Sequence, residues 1–580
     1  MSPLFIAIVI VLALLAVLGI VVGVANDAIN FLNSAIGSKV APRRVILWIA
    51  AAGILVGTLT SSGMMEVARN GVFYPGQFSF PEIMMLFLGM MLGNVLLLDL
   101  YNTLGLPTST TVSMVFGLLG AAVAAALFRI GADPAFSLQD LSQFINTGKA
   151  MVIIAAILVS VALAFAAGLL FMYVSRLIFS FRYHPAFRRW GALWCGISLS
   201  GILYFALFKG LKSSGLIPTH ITEYVGEHVL LTLFAFWVVA AAVLWIFQRM
   251  RLNIMRITIL SGTFALALAF AGNDLVNFIG VPVAGFDAYS IARHSGDASM
   301  MMGALNENVP ANFAVLLAAG GVMILTLWTS KKSMHVSATE LSLSTQSDEG
   351  SEQQYGSSLF SRTIVRAALN INAGIERVIP ERVRKSISRR FEYEDIEHSG
   401  APYDMIRATV NLTTSALLIA LATSLKLPLS TTYVSFMVAM GSSLADRAWG
   451  RESAVYRISG VMTVVAGWFV TALGGFLIAF VVGLALIYGG TAAFIVITLL
   501  CGYMLIHSNF MKKGKEARRE IARAETNEDI ILGLRDEVCA TMESATRIYD
   551  RTLIAVFKEN RKVLRDMVKE SNDLFYQSRE

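Results

Sequence analysis

Long apolar runs separated by short polar connections set the pattern of this chain. Runs of membrane-spanning length occupy roughly residues 4–25, 45–62, 80–106, 108–128, 148–178, 190–211, 228–248, 256–281, 311–329, 403–426, 429–445, 456–487 and 491–508. A helix of about twenty such residues crosses the hydrocarbon core of a bilayer. The first run has no basic leader and no small-residue cleavage signal, so it reads as a spanning helix, not a signal peptide. Two polar stretches interrupt the pattern. Lys331–Gly400 opens with a Ser/Thr/Gln/Glu-rich tract, Ser333–Ser358, expected to be disordered. Within Arg362–Phe391, Ile364, Ala367, Leu369, Ile371, Ile375 and Val378 predict an amphipathic surface helix ending near Pro380. The second polar stretch starts at Lys512, where Ile531, Leu534, Val538, Met542, Ala545 and Ile548 recur at helical spacing and predict a helical hairpin.

An internal repeat organises the spans. Ala25-Asn26-Asp27-Ala28-Ile29-Asn30-Phe31 recurs as Gly272-Asn273-Asp274-Leu275-Val276-Asn277-Phe278, and Leu106-Pro107-Thr108-Ser109-Thr110-Thr111 recurs as Leu427-Pro428-Leu429-Ser430-Thr431-Thr432. Both motifs keep their order, and the polar insert accounts for their wider separation in the second half. Charge then sets topology. Lys39, Arg43 and Arg44, the loops around Arg176, Arg182, Arg188 and Arg189, and those around Arg249, Arg251 and Arg256 should be cytoplasmic, while the segment near Asp287, Asp297 and Glu307 should not. These assignments agree if residues 80–128 form a re-entrant hairpin entered from outside and turning at Pro107, and residues 403–445 another entered from inside and turning at Pro428.

The expected fold is an all-α polytopic membrane protein: an inverted-repeat secondary transporter with two re-entrant helical hairpins, nine full spans and a helical cytosolic tail. Its N-terminus lies outside and its C-terminus in the cytoplasm. Residues 1–178 form the first repeat, 179–255 connecting helices, 256–330 and 402–510 the two parts of the second repeat, 331–401 a cytosolic insert and 511–580 the tail.

Composition agrees. Of 580 residues, 56% are hydrophobic and only 15% charged, with mean hydropathy +0.66, an apolarity that would leave intolerable exposed patches on a water-soluble fold. The net charge of +7 falls in short clusters beside spans, so it serves topology and does not point to nucleic acid. Three cysteines, Cys195, Cys501 and Cys539, stand far apart without metal-ligand spacing, and neither a disulfide framework nor a zinc or other transition-metal site is expected.

The candidate chemistry lies in the paired motifs. Asp27 and Asp274 sit in apolar spans, where a carboxylate is functional by default. The flanking Asn26, Asn30, Asn273 and Asn277 add oxygens that suit a small hard cation, and the nearby Gly23, Gly37, Gly272 and Gly280 are expected to let the backbone unwind and lend carbonyls. At the hairpin turns, proline ends the incoming limb and Ser109-Thr110-Thr111 or Ser430-Thr431-Thr432 starts the outgoing one. Free helix N–H groups and hydroxyls there make an anion site. With no Lys or Arg beside it in the membrane core, the anion must travel with its own cations. Asp99 and Asn102 are either a peripheral cation contact or a local capping pair.

At these residues the chain resembles the inorganic phosphate transporter (PiT) family, whose signature runs roughly Gly-Ala-Asn-Asp-Val-Ala-Asn-Ala once per inverted half. The resemblance spans residues 1 to about 508. It implies uptake of inorganic phosphate driven by a sodium gradient, or by protons with a metal–phosphate complex in some bacterial members. It assigns Asn26, Asp27, Asn30, Asn273, Asp274 and Asn277 to sodium, and Asp27, Ser109, Thr110, Thr111, Asp274, Ser430, Thr431 and Thr432 to phosphate. No cofactor beyond the coupling sodium ions is implied, and the expected location is the bacterial inner membrane, within its lipid bilayer. Phe31 and Phe278 replace the final small residue of the signature, and Ile49-Ala50-Ala51-Ala52-Gly53 stands where animal members carry a glutamate. Residues 511–580 resemble a PhoU-type helical bundle in part. The chain ends within a continuing helical pattern, so either it is a piece of a longer protein or the tail packs on a second copy as a homodimer.

Other readings keep the fold and change the role. Sulfate is also a tetrahedral dianion, but phosphate retains a proton at neutral pH and can donate it to Asp27 or Asp274. A phosphate receptor signalling through its tail is an alternative, and a channel fits closed, capped hairpins less well. No H-E-x-x-H, G-x-S-x-G or Walker pattern occurs, so an enzyme is not expected.

Overall fold

The computed structural model describes residues 2–104, 108–205, 219–297, 299–307, 312–330, 343–344, 362–363, 366, 380–391, 401–448, 453–523, 527–557 and 561–577. Regular structure among them is helical, with two isolated β-bridges, Phe73–Ile145 and Ser79–Met301. Eight helical elements among the described residues are long and apolar enough to cross a membrane. The chain is a multi-pass membrane protein.

Two long elements cross at the centre. The first joins α1 (Pro3–Asp27) and α2 (Ile29–Gly37) into a 35-residue apolar run. Ser2 caps its start and Pro3 occupies the first helical position, where a missing N–H costs nothing. The element called α9 below, Ile254–Ser295, is its counterpart and runs for 42 residues. Between them come α3 (Arg43–Thr60), α4 (Phe80–Leu104), α5 (Thr110–Ala132), α6 (Thr147–Ile178), α7 (His184–Tyr204) and α8 (Val229–Arg249). After α9 follow α10 (Phe313–Thr329), α11 (Met405–Ser424), α12 (Thr431–Ala445) and α13 (Ser453–Arg523), the last broken at Gly490, whose φ of 52° and ψ of −134° no helix contains.

Helices α4 and α5 form one hairpin, and α11 and α12 the other. The base of the first lies beside the start of α1, with the Phe5 and Phe80 rings 4.7 Å apart, and beyond the end of α9, where the Phe80 N–H donates to the Met300 carbonyl at 2.9 Å. The base of the second lies by the end of α2, where the Tyr403 hydroxyl donates to the Asn33 carbonyl at 3.1 Å, and by the start of α9, where Thr409 meets Met255. The two central elements are therefore antiparallel, and the hairpins enter from opposite ends. Both tips stop at the middle, on Asp27 and Asp274, so neither hairpin crosses. This is the inverted repeat, with re-entrant hairpins, that the sequence predicts.

Each outgoing limb leans on one supporting helix through a glycine. A Cβ on Gly120 would lie 2.2 Å from the Phe476 carbonyl oxygen of α13, and one on Gly441 would lie 2.2 Å from the Phe165 carbonyl oxygen of α6. Backbone touches backbone at both places, which fixes tip height with little slack.

Residues 503–580 form a second compact unit. Its helices α14 (Asn527–Phe557) and α15 (Arg561–Gln577) pack together with Arg551 facing Glu570 at 3.4 Å, the helical pair expected from the tail's periodicity.

Two expectations fall largely on residues that are not described. The predicted amphipathic helix ending near Pro380 lies mostly outside the described residues. A described helix, Glu381–Arg390, starts at that proline and has no buried residue. Proline supplies a fixed φ suited to a helix start, and its missing N–H costs nothing there. The tract Ser333–Ser358 lies outside the described residues, apart from Leu343 and Ser344.

Candidate functional site

Each hairpin tip begins with a capped helix. The Ser109 hydroxyl accepts from the Val112 N–H at 3.1 Å and the Ser430 hydroxyl from the Tyr433 N–H at 3.2 Å, so each serine satisfies an end donor and aims its helix start at the centre. The threonines that follow reach two fully buried carboxylates in a crossed pattern. Asp27 accepts from Thr110 Oγ1 at 2.8 Å and from Thr432 Oγ1 at 2.9 Å. Asp274 accepts from Thr431 and Thr111, the latter at 2.9 Å. Thr110 corresponds to Thr431 and Thr111 to Thr432, so the four bonds obey a twofold axis between the halves. Every carboxylate takes one hydroxyl from each hairpin.

The asparagines repeat this symmetry. The Asn30 amide donates to Thr432 Oγ1 and the Asn277 amide to Thr111 Oγ1, both at 3.0 Å. Asn26 accepts from the Thr108 N–H at 3.1 Å, and Asn273 sits 3.5 Å from the Leu429 N–H and donates to the Leu429 carbonyl at 2.7 Å. One difference is chemically important. Asn30 Oδ1 lies 3.1 Å from the Ser435 hydroxyl, whereas Asn277 Oδ1 is buried with no hydrogen-bond partner. Met114 stands where Ser435 would have its counterpart, and a thioether cannot donate.

The glycine expectation fails here. Both Asn-Asp segments are helical: α9 is continuous through Gly272–Phe278, and α1 passes to α2 across Ala28 in right-handed helical geometry, with the Ala28 N–H bonded to the Val24 carbonyl at 2.9 Å. Backbone carbonyls stay in the helix ladder because tip amides and hydroxyls already bond the Asn and Asp side chains. The oxygens left for a cation are on side chains.

Asn102 belongs to the site. Its Oδ1 accepts from the Asn26 amide at 2.7 Å, and its own amide donates to the Val22 carbonyl at 2.7 Å. Its counterpart Thr423 approaches Asn273 at 3.4 Å. Neither bond is a local cap of the Asp99–Asn102 kind. The sequence reading missed Ser435 and the threonine pair Thr108–Thr471, whose hydroxyls meet at 2.6 Å and tie the first tip to α13. The signal for Ser435 was its helical spacing, one turn beyond Thr431 and Thr432.

Ion pairs lie away from the centre, at the hairpin bases. At the mouth of the second hairpin, buried Arg176 donates to Asp446 at 2.7 and 2.8 Å and to the partly exposed Asp404 at 2.9 Å, and buried Arg407 donates to Asp446 at 2.8 Å. Burial alone would push the Asp404 carboxyl up, but the Arg176 and Arg407 guanidiniums and the Arg407 N–H outweigh it and hold the group below the usual carboxylate range. The first hairpin closes its base with buried Glu82 and partly exposed Arg129, paired at 3.3 Å. The site is thus a ring of hydroxyls and amides around two carboxylates, with helix starts facing it from two sides. Such a ring can bind a hard cation through oxygens and an oxyanion through hydroxyls and N–H groups.

A model of the Phosphate transporter family matches residues 23–360, more than half of the chain. Two relatives, each named as a putative phosphate permease, share this similarity. The one from Thermococcus kodakarensis is 28% identical over 311 residues, covering 52% of this chain and 69% of the relative, and the one from Pyrococcus abyssi is 27% identical over 317 residues with the same coverage. A solved structure titled the sodium-dependent phosphate transporter has the same fold, with a TM-score of 0.56 at 16% identity over 82% of this chain and 98% of the other.

Proposed function

The chain belongs to the phosphate transporter family, a family of transporters and not of enzymes, and from that membership we propose that it imports inorganic phosphate by symport with sodium, through alternating movement of the two hairpins. The observation that carries this reading is the crossed set of four threonine hydroxyls on Asp27 and Asp274. Two buried carboxylates repel an incoming oxyanion, so a cation must bind first. A sodium ion takes the carboxylate oxygen that a threonine proton occupies, with Asn30, Asn277 and the threonine oxygen as further ligands. The displaced hydroxyl proton is then free to turn toward phosphate. Cation binding thus both neutralises the site and releases its anion donors, which couples the two fluxes without any Lys or Arg at the centre. Phosphate favours this site over sulfate because its remaining proton can be donated to a carboxylate.

The same reading puts the protein in the bacterial inner membrane, with its N-terminus outside and its C-terminus in the cytoplasm. Supporting it, Lys39, Arg43, Arg44, Arg176, Arg249 and Arg256 all flank helix ends at the base of the second hairpin, while Asp287 and Asp297 lie toward the other end. In the tail, α14 and α15 leave Met542, Tyr549 and Phe557 exposed, which suits a PhoU-like regulatory bundle or pairing with a second copy. Radiolabelled phosphate uptake into proteoliposomes tests the core of the reading. It should require an inward sodium gradient and resist excess sulfate. Uptake insensitive to sodium but abolished by a proton ionophore replaces sodium with protons.

A further inference from the structure

The twofold relation breaks one residue past each hydroxyl triplet. Val112 follows Thr111, but Tyr433 follows Thr432, and the two backbones are equivalent, each N–H bonded to the capping serine three residues before. The Tyr433 ring lies flat against Trp468 of α13, centroids 3.8 Å apart and planes inclined by 20°, with Phe436 edge-on to the same indole at 5.8 Å. Tyr433 is 3% exposed and its hydroxyl has no hydrogen-bond partner. Tyr101 on the other hairpin shows the contrast, since its hydroxyl donates to the Gly467 carbonyl at 2.8 Å.

Packing does not explain the Tyr433 hydroxyl. Phenylalanine would stack on Trp468 equally well without leaving a buried donor unpaired, and such orphans are rare because each sacrifices its bonds to water. A role at the adjacent site would explain it. Tyr433 is on the first turn of α12, next to the threonine that bonds Asp27. We propose that the Tyr433 hydroxyl donates a hydrogen bond to the transported oxyanion, a substrate contact supplied by the second hairpin alone. This rests on the phosphate reading above. A neutral phenol adds a donor without a charge, so it raises anion affinity without supplying the fixed cation that would remove the need for sodium. It also makes the two half-sites unequal, so the bound oxyanion sits nearer the second tip.

Tyr433→Phe in the full chain tests this with two readouts that move in opposite directions. Thermal unfolding without phosphate should stay the same or rise, because a buried unpaired donor has gone. The KM for phosphate uptake in proteoliposomes should rise about tenfold, as for one lost hydrogen bond to a charged group, while sodium half-saturation measured at saturating phosphate stays at the wild-type value. Tyr433→Val, which copies the first half, should show the same KM shift plus a lower unfolding temperature from the lost stacking. Wild-type KM in Tyr433→Phe overturns the proposal while leaving the phosphate reading intact. A wild-type protein with no saturable phosphate uptake overturns both.

Discussion

Thr432 donates to Asp27 at 2.9 Å across 405 residues of chain, from a hairpin tip to the middle of a central helix of the other half. With its twofold mate, Thr111 on Asp274, it makes the two halves share one site instead of holding one each. The carboxylates are thus the natural first targets. Asp27→Asn and Asp274→Asn should each cut sodium-driven phosphate uptake about 100-fold or more, the worth of two charge-assisted hydrogen bonds. Both variants should still fold, because an amide keeps an acceptor oxygen and removes a buried charge. Uptake assays and size-exclusion profiles of the purified variants check both halves of this expectation, and wild-type uptake in both would remove the core of the argument.

The unequal asparagines predict unequal cation affinities. Asn277 Oδ1 has no partner while Asn30 Oδ1 is shared with Ser435, so Asn277 offers the more available ligand. Asn277→Ala should raise the sodium concentration for half-maximal uptake by roughly tenfold, and Asn30→Ala by less. Ser435→Ala should free the Asn30 oxygen and lower that concentration. Sodium titrations of uptake at fixed phosphate distinguish the three.

Gly120→Ala and Gly441→Ala should behave alike. Each places a methyl 2.2 Å from a backbone carbonyl oxygen of the supporting helix, and neither neighbour is a flexible side chain. The hairpin must shift by more than an ångström, at about 1–3 kcal/mol, and both tips would leave their carboxylates. Lower unfolding temperature with lost uptake is the expected result in each, compared against an alanine at Gly131, which has open space.

Acid should loosen the base of the second hairpin. The Asp404 carboxyl titrates lower in the folded protein than in the unfolded chain, so its contribution is complete above the ordinary carboxylate range and fades as pH falls through its folded value. Thermal unfolding in detergent should therefore show a decline below about pH 4. Asp404→Asn should flatten that decline and lower stability at neutral pH, since it leaves Arg176 with fewer partners.

Much of this was legible in the sequence because the fold is duplicated. Two motifs in one order revealed both carboxylates, all four asparagines and both tips, and the capping role of Ser109 and Ser430 follows from local rules. The crossing of Thr110 and Thr111 between Asp27 and Asp274 was not legible, since it depends on how two distant hairpins meet. Arg176 shows another limit. Next to a span it reads as a topology signal, and only the packed structure turns it inward onto Asp404 and Asp446. The expected unwinding at Gly272 failed for a similar reason, because the tip amides and hydroxyls that satisfy Asn273 and Asp274 come from far along the chain.

The crossed threonines also bear on leakage. If each carboxylate were served by its own hairpin, one tip could withdraw and leave the other carboxylate fully dressed, and the two doors could open independently. Here the withdrawal of either tip strips one donor from both carboxylates at once. The cost of opening one door is felt at both half-sites, and opening the second would leave two bare charges in a medium that cannot hydrate them. If the hairpins alternate as proposed, the arrangement would act as an interlock, so that a gradient would not be drained through a site open at both ends.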